Sequence, residues 1–414
     1  MKKLFYLFIL ASSVLTSCST GGGTAPIIDV TPPAATEENV SGLITANTTW
    51  TANKIWILNG KVVVNDGVTL TIEAGTIIKG KEGSGSLASA LIVARGGKLN
   101  AVGTADKPII FTSIADNIKI GEKVGTNLTI ADNSKWGGLL ILGKAKGSFS
   151  GDVSEFQIEG IPASDFFGLY GGSDDADNSG HLEYLSIRHG GAEIGAANEI
   201  NGLTLGAVGS ATIVKNIEIM ATLDDGIEIF GGAVNISNII VWGQGDDGLD
   251  VDQGWNGSAS NALVILTNIS DSALEIDGGE GSLQRDYTLT NISLKGDANA
   301  VGGKFADFRS AAQGTVKNLY AYNFQPTSIV RINKDNVAQN YVNGKLIFTN
   351  WQMVLPTGIT AITSLFKDKS ASLLAPTFSA DAATWATPVT AGSQTTGADT
   401  SVFSWTIAKN KSAF

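Results

Sequence analysis

Short apolar stretches recur along the body of the chain, and in most of them apolar and polar residues alternate. Examples are VTLTIEAGTIIKG, ALIVARGGKLNAVG, NGLTLGAVG and DDGIEIFGG, each bounded by Gly, Asn or Asp. Alternation over so few residues indicates β-strands, because successive side chains of a strand point to opposite faces. No long stretch repeats its apolar residues with a helical period. The pattern therefore predicts an all-β protein with many turns.

The strands return at a regular interval. Ile227 in DDGIEI, Leu249 in DDGLDV and Leu274 in DSALEID are separated by 22 and 25 residues. A repeat of this size, made of strands and turns, is typical of a solenoid in which stacked coils bury each other's apolar sides. Because crossovers between parallel strands are right-handed, we predict a single-stranded, right-handed parallel β-helix with capped ends.

The chain begins with a basic pair and a short apolar run, MKKLFYLFILASSVLTSC, which predicts a signal peptide over residues 1–17. LTSC resembles a bacterial lipobox, so Cys18, the only cysteine, is the predicted site of lipidation. The Gly-, Thr- and Pro-rich residues that follow predict a flexible tether over 18–40. We expect the β-helix over 41–350 with Ser41 to Trp56 as its first cap. Residues 351–414 are the expected C-terminal strands and cap, with KLIFTNW and FSWTIAKN as the last strands.

The net charge of −11 argues against nucleic acid as a partner, since phosphate binding needs a basic surface. The same charge favours metal cations. No segment after the signal peptide is apolar for the roughly 20 residues that a membrane span needs. The lipid on Cys18 is therefore the expected attachment to an outer membrane. The sequence is compatible with either face of that membrane.

Several phrases resemble a known family. TLTIEAGTIIKG, ALIVARGGKL, WGGLLILG, IEGIP, YGGSDDADNSG, YLSIRHGG, NEINGLTLGAVG and DDGIEIFGG are similar to secreted or lipid-anchored Bacteroidetes proteins that have a pectin-lyase-like β-helix. The resemblance covers about Thr69 to Gly254. It implies the fold and a location at the cell envelope, and it implies no particular reaction.

Acidic residues stand at matching points of successive repeats. If Ile227 and Ile229 point into their coil, Glu228 points out, and the same alternation turns Asp250 and Glu275 outward in the next two coils. Parallel coils are stacked about 4.8 Å apart, so these acids form a column, with Asp252 and Asp277 in a second column beside it. Neighbouring unit charges at that distance repel by about 3.5 kcal/mol at an effective dielectric constant of 20.

Two kinds of positive charge can offset this repulsion. Calcium takes six to eight oxygen ligands, as stacked carboxylates can supply, so Glu228, Asp250, Asp252, Glu275 and Asp277 are predicted metal ligands. Alternatively, basic side chains neutralise the column from within. Extending the register places Lys304 in the following coil and Arg331 in the one after. This arrangement resembles the active groove of pectate lyases, in which calcium bridges a uronate carboxylate and an arginine removes a proton.

A second comparison also points to catalysis. LDDG at Leu223 to Gly226, GDD at Gly245 to Asp247 and RIN at Arg331 to Asn333 resemble, in order, motifs of polygalacturonase-type hydrolases. The resemblance implies Asp246 and Asp247 as acid and base of an inverting reaction, Asp225 as their partner and Arg331 as a subsite contact. The family's GHG motif has no counterpart here. Ordinary turn chemistry also explains Asp-Asp-Gly before a strand.

Three further features are candidate sites. Asp175, Asp177 and Ser179 have the D-x-D-x-S-G spacing that opens a calcium loop, although Ser186 stands where an EF-hand would have its closing acid. Trp242 and Trp255 flank the acidic repeats and are predicted sugar-stacking platforms, with Lys304 as a further substrate contact. Trp56 and Trp136 are expected in the core.

We therefore predict a cell-envelope lipoprotein that acts as a non-catalytic binding or scaffold protein for polysaccharide or a cell-surface partner and that binds calcium. The alternatives are an enzyme that cleaves acidic polysaccharide, as a lyase or an inverting glycoside hydrolase, and a structural adhesin rod.

Overall fold

The structure is a computed structural model that describes residues 37–159, 161–162, 164–195, 198–298 and 303–414. The predicted signal peptide, the lipidation site Cys18 and most of the predicted tether lie outside the described residues. Those predictions are therefore untested. No helix in the described part of the chain is long and apolar enough to cross a membrane.

The chain forms short strands almost throughout. They are, in order, β1 (Glu37–Ile44), β2 (Thr48–Trp50), β3 (Ile55–Val64), β4 (Thr69–Ile72), β5 (Ile77–Gly80), β6 (Ala90–Val93), β7 (Lys98–Val102), β8 (Ile109–Ser113), β9 (Leu139–Leu142), β10 (Phe156–Gln157), β11 (Leu169–Tyr170), β12 (Gly180–Arg188), β13 (Glu193–Gly195), β14 (Asn198–Glu199), β15 (Leu203–Gly206), β16 (Ile213–Met220), β17 (Ile227–Phe230), β18 (Asn235–Trp242), β19 (Leu249–Asp252), β20 (Ser258–Ile265), β21 (Leu274–Ile276), β22 (Tyr287–Lys295), β23 (Ala306–Phe308), β24 (Gly314–Tyr322), β25 (Val330–Ile332), β26 (Leu346–Met353), β27 (Phe366–Asp368) and β28 (Ala386–Pro388). Three short helices, α1 (Asp335–Val342), α2 (Phe378–Trp385) and α3 (Ile407–Asn410), follow β25, β27 and the last strand.

These strands confirm the predicted right-handed parallel β-helix. Each coil pairs in parallel with the next, so the strands line up in columns along the solenoid. The column that carries the acidic repeats runs from the end of β1 through β3, β6, β9, β15, β17, β19, β21, β23 and β25 to β27. We call it the ladder face.

The other two columns meet at a sharp corner inside the long strands β16, β18, β20, β22, β24 and β26. At this corner Asn216, Asn238, Asn261, Asn291, Asn318 and Asn350 all have positive φ. Asparagine tolerates this left-handed conformation better than most residues. Their amides also bond from coil to coil, as from Asn238 to Asn216 at 2.9 Å and from Asn261 to Asn238 at 2.8 Å. A repeated asparagine thus turns the chain and links the coils.

The interior is a continuous column of aliphatic and aromatic side chains that includes Trp56, Trp136 and the inward residues Ile227, Leu249 and Leu274. The predicted burial of Trp56 and Trp136 is confirmed. The aliphatic residues recur because every coil must cover the one before it.

The C-terminal region differs in part from its prediction. β26 lies where KLIFTNW was predicted to form a strand, but β27 and β28 continue the coils beyond residue 351. FSWTIAKN is not a strand, because it holds α3, whose first turn is capped by Thr406 accepting from the Lys409 amide at 3.1 Å. The C-terminal segment lies against the outside of the β-helix. There Phe403, Ala408 and Ala413 pack on Ile240 and Leu263.

Candidate functional site

The predicted column of acids exists. Glu228 pairs with Asp250 between β17 and β19, and Asp250 pairs with Glu275 between β19 and β21. Their neighbours Ile227, Leu249 and Leu274 lie in the core, so the three acids point away from it. The alternation of the strands, read from the sequence, therefore gave the correct register over three coils. We call this column, with the turn acids that precede each strand, the acid ladder.

The register fails one coil later. Glu275 is followed by Asp307 of β23, then by Arg331 of β25 and Lys367 of β27. Lys304 was predicted to follow Glu275, which is wrong: it bridges to Ser272, before the strand begins. Its amine forms an ion pair with Asp271. The coil between Ile276 and Phe308 is longer than its predecessors, and this extra length shifted the prediction.

The acids are not exposed, and this corrects the prediction of an open outer groove. Glu228, Asp250 and Glu275 are only 6%, 8% and 9% exposed. Segments that leave the coils lie beside them: Glu159 follows the short strand β10, and Glu199 lies in the hairpin of β13 and β14. Both add negative charge at close range, since Glu159 raises the pKa of Glu228 and Glu199 raises that of Asp224.

Burial and mutual repulsion shift the pKa values of the ladder upward. For Glu228, Asp225 and Asp250, loss of water is the largest cause, and neighbouring carboxylates add to it, so the pKa of each lies well above its usual range. The same causes raise the pKa of Asp252 to about 7. Desolvation also raises the pKa of Asp277 to about 6. Without a cation, Asp225, Glu228 and Asp250 hold protons near neutral pH.

One end of the ladder is neutralised by arginine. Arg309 forms ion pairs with Glu275 and, through Nε at 3.2 Å, with Asp277. Arg331 forms an ion pair with the fully buried Asp307. We call Glu275, Asp277 and Asp307 the paired rungs. Here basic side chains within the protein supply the opposite charge, as one of the two predictions required.

The neighbouring coils lack such partners. Among the described residues, Asp250 Oδ1 is buried and accepts no hydrogen bond. Glu228 accepts one from the Asn201 amide. Asp225 accepts the backbone amide of Asp247 at 2.9 Å. No ion pair in the described part of the chain involves Asp225, Glu228, Asp250 or Asp252, which we call the open rungs.

Two groups of carboxylates share Asp250. Oxygens of Asp225, Glu228 and Asp250 lie within 4.8 Å of one another, and so do those of Asp250, Glu275 and Asp277. Because Arg309 already contacts Glu275 and Asp277, the first group is the better candidate for a metal ion. Calcium–oxygen distances of about 2.3–2.6 Å allow one ion to reach oxygens separated by that span.

The turn acids continue the cluster toward solvent. Asp246 and Asp271 are exposed, whereas Asp247 is buried and accepts the Ser272 amide at 2.6 Å. Asp224, Asp225 and Asp246 form one further group of close carboxylates, and Asp246, Asp247 and Asp271 form another. Burial, reinforced by Asp246, raises the pKa of Asp247 to about 7. Part of this cluster serves the turns themselves, as the Asp-Asp-Gly pattern indicated.

The predicted catalytic residues are only partly brought together. Asp225, Asp246 and Asp247 belong to neighbouring turns of the ladder. Arg331 lies on the same outer column, but its guanidinium is engaged by Asp307. Asp225 is 6% exposed, so access of a polymer to it is narrow.

The predicted calcium loop has other partners. Asp175 forms an ion pair with Arg285 at 2.9 Å and accepts the Lys146 amide at 3.0 Å. Asp177 Oδ2 accepts the Ser179 hydroxyl at 3.1 Å. These oxygens tie the loop to adjacent segments, so the spacing is explained as a structural turn, and we do not propose a calcium site there.

The two predicted sugar platforms do not flank the ladder. Trp255 is 1% exposed in the core, where its indole donates to the Val234 carbonyl at 3.0 Å, so its prediction as a platform is wrong. Trp242 ends β18, on another column, and packs beside Met220 and Ile407. Lys304 is held by Asp271 and is not a free substrate contact.

Sequence reasoning missed three residues that shape the site. Asn201 holds Glu228, Arg309 neutralises two rungs, and Asp307 completes the column. KFADFRS carries the alternation of a strand, with Ala306 and Phe308 buried on either side of Asp307, and aligning that pattern would have placed Asp307 and Arg309. Asn201 stands two residues before Leu203, as Asp225 stands before Ile227, so the same repeat could have placed it before the ladder strands.

The fold and site define a class: a parallel β-helix with a buried ladder of acids on one outer column. Residues 42–409 match the profile of the pectate-lyase-like β-helix domain. The chain belongs to this family, as its motifs indicated. A search of curated proteins and a search of solved structures each found no match.

Proposed function

We propose that this protein is a calcium-binding, non-catalytic β-helix that serves as a binding or scaffold protein for polysaccharide or a surface partner. The observation that carries the calcium part is Asp250, a buried carboxylate with an unpartnered oxygen, whose neighbours Asp225 and Glu228 form no ion pair among the described residues. A buried charge without a partner is costly. A hard cation bound by Asp225, Glu228 and Asp250 offsets that cost.

Calcium suits these ligands better than a transition metal. The described ladder offers carboxylate oxygens, and hard cations prefer oxygen ligands. Zinc sites in proteins use His or Cys beside carboxylates. Calcium also tolerates irregular geometry with six to eight oxygens, and the stacked coils supply neighbouring acids from Asp252 and the turns.

The proposal of a non-catalytic role rests on two observations: a polymer has little access to the acids, and the Arg331 guanidinium is already paired. The acids at the centre of the ladder are buried, and Arg331 is already paired. The lipid predicted on Cys18 would hold such a module at the outer membrane, and the long, regular solenoid suits a spacer or adhesin rod as well.

An inverting hydrolase is the second candidate, and one observation favours it. Burial raises the pKa of Asp247 to about 7, as a general acid requires, while the adjacent Asp246 is exposed. Incubation with uronate polymers tests it. New saturated reducing ends that disappear in Asp247→Asn would establish the hydrolase, whereas unsaturated ends would indicate a lyase; no product would exclude cleavage of those polymers.

Thermal unfolding of the full chain tests the calcium proposal. We expect calcium at millimolar concentration to raise the melting temperature by several degrees, since a ligand that binds only the folded state stabilises it by about 4 kcal/mol at 1,000 times its Kd. Asp250→Asn should lose most of this shift. In calcium-free buffer the same variant should be more stable than the wild type, because asparagine needs neither the proton nor the cation that the buried Asp250 carboxyl must take up on folding.

Asp106→Asn is the matched control, because the Asp106 side chain is 100% exposed and lies away from the ladder. It should keep the whole calcium shift. An unchanged melting temperature of the wild type in calcium would remove the proposal, and so would a shift that Asp250→Asn retains.

A further inference from the structure

A cleft opens beside the apolar part of the ladder face. It has a volume of about 460 Å³ and lies where the chain leaves β3, β6 and β9. Residues of these turns, Asp66, Arg95 and Lys144, form one side. The excursion between β9 and β12 forms the other, with Glu155 and Phe166. Its size falls within the range of small-molecule sites, about 300–1,000 Å³.

Phe166 at this cleft has no role in the core. It is 66% exposed and belongs to a short 3-10 helix, Phe166–Gly168. Phe167 beside it meets its ring at 5.9 Å and packs against the buried cluster of the excursion. A large aromatic side chain is thus presented to solvent on an anchored backbone. Such a ring offers a flat apolar surface to a ligand.

Four of the five charged side chains that line the cleft form opposite pairs, and the fifth, Asp174, accepts the Ala176 amide at 3.0 Å. Arg95 forms an ion pair with Glu155 at 2.6 Å, and its guanidinium donates to the Gly171 carbonyl at 2.9 Å. Lys144 lies 3.5 Å from Asp66. All four side chains remain partly exposed. They therefore present fixed donors and acceptors with little net charge, which suits a ligand that is polar and uncharged.

The wall of the cleft leaves no room for a further side chain. Gly96 has a φ of 87°, and a Cβ there would lie 1.9 Å from Asp66 Oδ1 and 2.5 Å from Lys144 Nζ. The glycine thus lets the two turns approach and keeps the Lys144–Asp66 pair in place. Asp66 and Lys144 stand in the turns directly after β3 and β9.

We infer that this cleft binds a neutral saccharide. A sugar ring has an apolar C–H face, which stacks on Phe166, and a rim of hydroxyl groups, which exchange hydrogen bonds with the paired charges of Asp66, Lys144, Arg95 and Glu155. The site names a partner chemistry for the binding role proposed above. It does not depend on calcium at the acid ladder.

Isothermal titration of the full chain with neutral hexasaccharides of glucose, mannose and xylose, beside hexagalacturonate, tests the inference. At least one neutral hexasaccharide should bind. Phe166→Ala should weaken that binding about tenfold or more, and Asp66→Ala should also weaken it. Leu87→Ala is the control, because Leu87 is an apolar residue that is 74% exposed elsewhere, and it should leave the affinity unchanged.

Each other outcome has a definite meaning. Absence of binding by every neutral sugar, or equal affinity in Phe166→Ala, overturns the inference. Binding of hexagalacturonate alone also overturns it. The titration is repeated in calcium-free buffer, where saccharide binding should persist even if the calcium proposal fails. Loss of binding without calcium would instead place the sugar at the acid ladder.

Discussion

Two neighbouring regions of the acid ladder differ in how the repulsion between stacked carboxylates is offset. On the paired rungs, Arg309 and Arg331 bring positive charge to Glu275, Asp277 and Asp307. On the open rungs, Asp225, Glu228 and Asp250 are also buried, Asp252 is half-buried, and none of the four forms an ion pair among the described residues. The same fold and spacing thus hold a charge-balanced region beside an unbalanced one.

The paired rungs therefore serve the stability of the fold, whereas the open rungs are suited to binding a proton or a metal ion. A carboxylate that a permanent arginine neutralises contributes to the fold under all conditions. One that lacks a partner leaves the folded state dependent on what the solvent supplies, a proton or a metal ion. The earlier coils of the same column avoid the problem, since Val63, Ile92 and Leu140 occupy it and the excursion between β9 and β12 covers them.

The largest expected effect comes from breaking the paired rungs. Arg331→Met leaves Asp307, which is 0% exposed, without its cation, and we expect it to lower the free energy of unfolding by about 3–5 kcal/mol. Urea unfolding measures it. Calcium should not restore the loss.

Two variants control for this experiment. Arg331→Met with Asp307→Asn should recover part of the loss, because the unpaired charge is gone. Lys367→Met, on the next rung, should cost less than about 1 kcal/mol. If calcium restored the full free energy of unfolding of Arg331→Met, the paired rungs and the open rungs would not differ as described.

The open rungs should make stability depend on pH when calcium is absent. Their folded pKa values are raised, to about 7 for Asp252, whereas the unfolded carboxyl has its usual value of 3.8. Between these values the folded state holds protons that the unfolded chain has lost. The free energy of unfolding therefore falls as pH rises through this window, by about 2–4 kcal/mol in calcium-free buffer.

Calcium should flatten this profile, because the ion replaces the protons, and its stabilising effect should be larger at pH 8 than at pH 5. Urea unfolding across the window provides the measurement, and Asp252→Asn should reduce the slope. Stability that rises with pH over the same range in calcium-free buffer would contradict the burial of charge on the open rungs.

The smallest effect should come from the asparagine corner, which is a ladder without charge. Asn238 donates to Asn216 and accepts from Asn261. Asn238→Ala loses these bonds and places alanine at a φ of 55°, so we expect a cost of about 1–2 kcal/mol. Asn238→Gly should recover the backbone part. Calcium should change neither value; a calcium-dependent cost would link the corner to the ladder.

Much of the fold could be predicted from the sequence, because one physical rule repeats in every coil. Apolar residues at alternate positions must face the interior, and this fixed the strands and the register from Glu228 to Glu275. The rule gave the wrong register in the next coil, because that coil is longer and Asp307, not Lys304, follows Glu275. It also could not place α3, since TIAKN is too short for a helical period and forms its turn through the Thr406 cap.

The alternation of apolar and polar residues could not predict that the acid ladder is buried. Glu159 and Glu199 reach it from segments between the coils, and their approach depends on tertiary packing and not on a repeat. For the same reason, alternation correctly turned Glu228 and Asp250 away from the core but could not show that other segments lie beside them. Trp255 was assigned to the outside because it stands next to the acids in sequence, although it packs in the interior.

Anomalous diffraction from crystals of the full chain grown with calcium tests the central claim most directly. We expect a peak about 2.3–2.6 Å from Asp250 Oδ1 and within reach of Asp225 and Glu228, with no peak beside Asp307 and Arg331. A ladder that stays free of calcium at Asp250, or one that binds it only on the paired rungs, would contradict the account.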